Sequence, residues 1–111
     1  MIKITQFTVA YLSSKMSVPI FGEIPSDLNT CAVVVSKAGG NRENYLPEST
    51  IRISCYADTM ARAEDLSLDV QTAMDLMVEL PEITCCEYGG DYNATEDKRY
   101  CFEVMYTITH Y

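Results

Sequence analysis

Apolar residues keep a helical period over only one long stretch of this chain, residues 58–80, which reads DTMARAEDLSLDVQTAMDLMVEL. Ala63, Leu66, Val70, Ala73, Met77 and Leu80 recur at steps of three and four, so they share one stripe of an α-helix, and Met74 widens it. Arg62, Asp65, Asp69 and Asp75 fall on other faces, mostly one that stays wet. Asp58 or Thr59 can cap the start, and Glu64 and Asp65 lie near the positive end of the helix dipole. Pro81 is expected to stop the helix, since proline cannot continue its hydrogen-bond ladder. Such a helix cannot bury its stripe alone. It needs a sheet.

The flanking patterns provide one. Residues 2–15 predict a short amphipathic helix with Ile4, Phe7, Tyr11 and Leu12 on one side, although β-branched residues pull against it. Residues 18–23 (VPIFGE) predict a short edge or irregular strand, confined by Pro19 and Pro25. Residues 30–37 (TCAVVVSK) predict an inner strand, and Ala38-Gly39-Gly40-Asn41 is expected to break it. Residues 42–48 read as a polar loop. Residues 50–57 (TIRISCYA) alternate, with Ile51, Ile53 and Cys55 on one face and Arg52, Ser54 and Tyr56 on the other. After the helix, 83–88 (ITCCEY) predicts a strand, 89–97 a turn-rich loop, and 99–111 a long alternating strand.

This order predicts a single α+β domain over residues 1–111. An antiparallel or mixed sheet of four to five strands is packed by one long helix, with a short N-terminal helix besides. The second sheet face is only partly polar, which leaves area there for the N-terminal helix or another subunit.

Charge narrows the function classes. Sixteen acidic residues against eight basic ones give a net charge of −8. Gripping a nucleic-acid backbone needs clustered Lys and Arg, and this balance argues against it. No apolar run approaches the roughly 18 residues of a membrane span. The N-terminal stretch has no long apolar core with a small-residue cleavage site, so no signal peptide is read and the chain is expected to be assembled in a cytoplasm. The five cysteines lack a Cys-x-x-Cys spacing and read as small hydrophobes in a reducing compartment.

Candidate chemistry is sparse. His110, the sole histidine, reads as a terminal surface residue with no serine or cysteine partner fixed by spacing. Neither glycine pair fits a phosphate loop. Asp91, Asn93, Thr95 and Asp97 alternate as oxygen-bearing residues, but the glycine and later glutamate of an EF-hand are missing. Glu64, Asp65, Asp69 and Asp75 read as a solvated helix face. No catalytic, cofactor-binding or metal-ligating set emerges, and the expectation is that the chain is not an enzyme. The eight tyrosines say more. Seven lie on predicted strands or loops, and tyrosine suits interfaces because it combines contact area with a hydroxyl.

VPIFGEIPSD, the strand and turn AVVVSKAGG, the passage IRISCYADTMARAEDLSLDV and the C-terminal KRYCFEVMYTIT together resemble one family. It is the tail terminators (tail-completion or head–tail joining proteins) of long-tailed phages and prophages. The resemblance spans roughly residues 15–110 and rests on diffuse hydrophobic and turn patterns. It implies an α+β protomer of a ring, usually a hexamer. That ring caps the tail tube, ends its polymerisation and meets the head-completion or connector protein, with DNA passing through unbound. It implies a virion location, no cofactor and no catalysis. A neck or minor capsid (head-closure) protein, or a small non-viral protein-binding module, are the alternatives. Position and composition, rather than the family, name the contact surfaces, which are the 42–48 loop, the 89–97 loop and the exposed face of a sheet edge, with Arg42, Tyr45, Tyr92 and Arg99 as the candidate residues.

Overall fold

A computed structural model describes residues 2–24, 31–43, 46–96 and 99–111, with the backbone alone for 41–43. The elements run α1 (Ile4–Lys15), β1 (Ile20–Phe21), β2 (Ala32–Glu43), β3 (Leu46–Ala57), α2 (Met60–Asp75), a 3₁₀ turn (Met77–Glu79), β4 (Ile83–Asn93) and β5 (Tyr100–His110). The architecture is α+β, with a five-stranded sheet in the order β1-β2-β3-β5-β4. β1 pairs parallel to β2 and every other pairing is antiparallel, so the sheet is mixed.

The predicted stripe organises the core. Ala63, Leu66, Val70, Ala73, Met74 and Met77 are buried against Val33 and Val35 of β2, Ile51, Ile53 and Cys55 of β3, and Val104, Tyr106 and Ile108 of β5. Each Val, Leu, Ile or Met side chain among these, taken out of water, contributes about 1.5–3 kcal/mol. Thr59 caps α2 by accepting a hydrogen bond from the Arg62 amide at 3.2 Å.

The helix ends earlier than expected. Regular α-helix stops at Asp75, and Leu76 turns its amide onto the Ala73 carbonyl at 3.2 Å. The 3₁₀ turn that follows tightens the chain and carries Met77 into the core. Pro81 acts one step later, because a residue before proline is held extended, and Leu80 is (φ −76°, ψ 139°).

The N-terminal helix forms as expected, with Ile4, Thr8, Tyr11 and Leu12 buried at steps of four, three and one. It lies on the same side of the sheet as α2. The Tyr11 hydroxyl donates to the Ala73 carbonyl at 2.6 Å, fastening the helices together. The possibility that α1 covers the second face is therefore overturned, and among the described residues no helix lies there.

Two predicted loops are strands. β2 continues through Gly39 and Gly40, with its register shifted between Lys37 and Gly39, and Arg42 and Glu43 pair with Pro47 and Leu46. β4 likewise continues through Gly89 and Gly90, with a shift between Tyr88 and Gly90. In both, a long partner strand holds the backbone extended; Ala38 is the extra residue at the β2 bulge and Gly89 at the β4 bulge. Gly90 adopts φ 120°, which glycine alone takes without strain. The two hairpins turn at opposite ends of the sheet, since Glu48 aligns with Thr109 and Ala57 with Tyr100.

Met74→Ala removes a fully buried side chain between α2 and the sheet. It is expected to lower the unfolding free energy by about 2–5 kcal/mol at an unchanged urea m-value.

Candidate functional site

The face opposite the helices is built by the alternation of β3 and β5. Arg52, Ser54 and Tyr56 share it with Cys101, Glu103 and Met105, because Arg52 aligns with Met105, Ser54 with Glu103 and Tyr56 with Cys101. Tyr92 joins them from β4, since the bulge sets it opposite Glu103.

Glu103 is the centre of this face. Its carboxylate accepts from the Ser54 hydroxyl at 3.3 Å and from the Tyr92 hydroxyl, and meets Arg52 Nε at 3.5 Å. The carboxylate is largely shielded while Arg52 stays partly exposed. The bond to Glu103 is the main reason the Tyr92 phenol is harder to ionise than an ordinary tyrosine, with desolvation adding to it. Tyr56 shifts the same way, first through burial. Burial also pushes the Cys101 thiol up to about 11, so it stays protonated at neutral pH.

These residues border a groove of about 490 Å³ that also takes in Ile24 and Arg99. A tight hairpin end sets Arg99 there. Glu96 and Arg99 bond through their backbones in both directions, the Thr95 amide donates to Asn93 Oδ1 at 2.9 Å, and the Cys101 amide donates to Thr95 Oγ1 at 3.2 Å. Tyr92 and Tyr100 expose large parts of their rings nearby.

Of the four contact candidates, the fold brings Tyr92 and Arg99 to one groove. Arg42 lies on β2 at the opposite end of the sheet, in register with Pro47, and not in a loop. Tyr45 lies outside the described residues. Arg52, Tyr56 and Glu103 were not among the candidates. Alternation assigned each to a face, but only the β3–β5 register shows that they meet.

His110 departs from its expected place. His110 is buried, not a surface residue, and it has a serine partner. Its Nε2 lies 3.1 Å from Ser49 Oγ, and its Nδ1 lies 3.1 Å from the Tyr111 carbonyl. A proton on Nδ1 donates to that carbonyl, which leaves Nε2 to accept from Ser49. Sixty-one residues separate the pair, so spacing gave no sign of it. The pair is closed off from solvent inside the helix-side layer and holds the two strand ends together. Asp91 and Asn93 bond to neighbouring groups of the protein, and Asp97 lies outside the described residues. Asp91 accepts from Tyr88 at 2.8 Å and from Gln71 of α2 at 3.1 Å, while Asn93 bonds the Thr95 amide. Glu64, Asp65, Asp69 and Asp75 are exposed along the outer face of α2, beside exposed Leu68 and Leu76. Of the cysteines, Cys55 and Cys101 are buried and the other three are half-buried; all five are free thiols.

Among the described residues the sheet edges are as open as the face: β1 covers only Val33 and Val34 of β2, and β4 pairs with β5 alone. No protein-family model matches the chain, and no curated protein is significantly similar to it.

Because the folded state favours the protonated Tyr92 phenol, that bond contributes stability below the ordinary tyrosine pKa of about 10 and loses it as pH rises through the folded value. In Glu103→Gln, ultraviolet titration is expected to show one tyrosine ionising at lower pH than in the parent chain. An unchanged titration would show that the bond to Glu103 does not govern Tyr92.

Proposed function

We propose that this chain is a structural subunit of a phage or prophage tail. Copies of it form a ring, in number most simply six, that caps the tail tube, ends its polymerisation and joins the tail to the head connector. The observation that carries this reading is the one-sided sheet. Both helices cover the same face, while the other face offers a groove with Arg52, Tyr56, Tyr92 and Arg99, and both edges keep unpaired backbone. A small chain that leaves face and edges open presents several separate surfaces for neighbours, and a ring subunit between two other assemblies uses several. The groove residues fit contact with protein: tyrosine and arginine are enriched in interface cores. The two hairpins point to opposite ends, and the described fold measures 43 Å along its longest axis, so one subunit has distinct ends to turn toward tube and head. The acidic balance fits a ring that lets DNA pass without holding it.

Electron microscopy of particles assembled without this protein tests the reading. Tails are expected to vary in length and to fail to join heads, and adding the purified chain should restore joining. Tails of uniform, normal length that join heads unaided would refute it. An Arg99→Glu chain is expected to keep its fold, since the side chain is exposed, and to restore joining at least tenfold less well.

A further inference from the structure

We infer that successive copies of this chain dock edge to edge, the open stretch of β2 in one copy pairing antiparallel with the Ile83–Tyr88 stretch of β4 in the next. The contact deepens the ring reading above, which gives it a setting, but it stands or falls by itself.

Three features of the sheet point to it. The first is direction. β2 and β3 are antiparallel, as are β3 and β5, and β5 and β4, so β2 and β4 run in opposite directions at opposite edges. Copies related by rotation about an axis along the strands therefore present edges of the polarity an antiparallel ladder needs.

The second is height. Following the register across the sheet, Gly39, Thr50, Thr107 and Glu87 form one row, and Asn41, Glu48, Thr109 and Cys85 another. The open stretch of β2 thus stands level with Ile83–Tyr88. Neighbours can pair by rotation with no rise along the axis, and such a head-to-tail contact closes into a ring instead of climbing into a filament. β1 covers β2 only at Val33 and Val34, whose rows end at Asn93 and Tyr92, where β4 runs out into its hairpin turn. The covered part of one edge matches the end of the other.

The third is complementarity. Ala38, Gly39 and Gly40 leave the β2 edge without bulky side chains, so another backbone can approach. Lys37 lies on that stretch, two positions from the row that joins Gly39 to Glu87, while Ile83–Tyr88 of β4 carries Glu87 and no basic residue. Two β2 edges, or two β4 edges, would place like charges together. The β2-to-β4 arrangement pairs opposite ones. The occupant of each edge is therefore a second copy of the chain.

Cysteine capture tests this directly, because β4 already carries Cys85. Asn41→Cys places a thiol on the same row. Gly39→Cys and Glu43→Cys cover a register two residues to either side. Each purified variant, with unchanged circular dichroism, is oxidised over a concentration series up to millimolar and run without reductant. At least one variant is expected to give a ladder of disulfide-linked species beyond the dimer. That ladder should vanish when Cys85→Ser is added and be missing from the parent chain. No covalent multimer at any concentration, a ladder that survives Cys85→Ser, or a series that stops at the dimer would each overturn the contact. If the ladder forms but particles made without the chain have normal tails, the edge contact stands and the tail reading falls. Defective tails with no ladder mean the reverse.

Discussion

Everything in this fold depends on one packing arrangement: two helices share a single face of the sheet and are fastened to each other. Val70 and Met74 of α2 and Met77 of the 3₁₀ turn are fully buried in the core beneath the sheet, and the Tyr11 hydroxyl clasps α1 to the Ala73 carbonyl. Burial on that scale is the main favourable term for so small a chain. It also dictates what is left over. Since neither helix is available to the second face, that face has to be stabilised by its own side chains.

Glu103 does this. One shielded carboxylate collects Ser54, Tyr92 and Arg52 from two strands on either side of β5. A shielded charge is tolerable only with partners, and two of these, Arg52 and Tyr92, also border the groove. In those two residues structural support and contact surface coincide. Arg52 keeps its guanidinium partly in solvent, and Tyr92 keeps much of its ring there, so both can meet a neighbour without the face rearranging.

The sequence made the core legible and the hairpins illegible. Period-3.6 spacing in α2 named every buried apolar residue of that helix, and alternation in β3 named Ile51, Ile53 and Cys55, because burial on one face is a local pattern; buried Ser49 and Ser54 carried no such signal. Gly39-Gly40 and Gly89-Gly90 read as breaks, because glycine is permissive and its conformation is settled by whatever pairs with it. Here long partner strands settle it as extended. His110 misled for the same reason: its partner Ser49 is distant in sequence and adjacent only through the β3–β5 ladder. Of the groove, Tyr92 and Arg99 were visible as a tyrosine and an arginine near a turn. Glu103 was visible only as a polar residue in an alternating strand. Its role depends on register, which no local pattern encodes.

The central claim is that the sheet is closed on one face by helices and left open at both edges. Amide hydrogen exchange on the dilute chain tests it most directly. The account predicts the slowest exchange in the centres of β3 and β5, around Ile51, Ile53, Val104 and Tyr106, with fast exchange at alternate amides of β4 and along β2 beyond Val35. Edge amides as protected as those of β3 and β5 in the dilute chain, or fast exchange throughout β3 and β5, would contradict it.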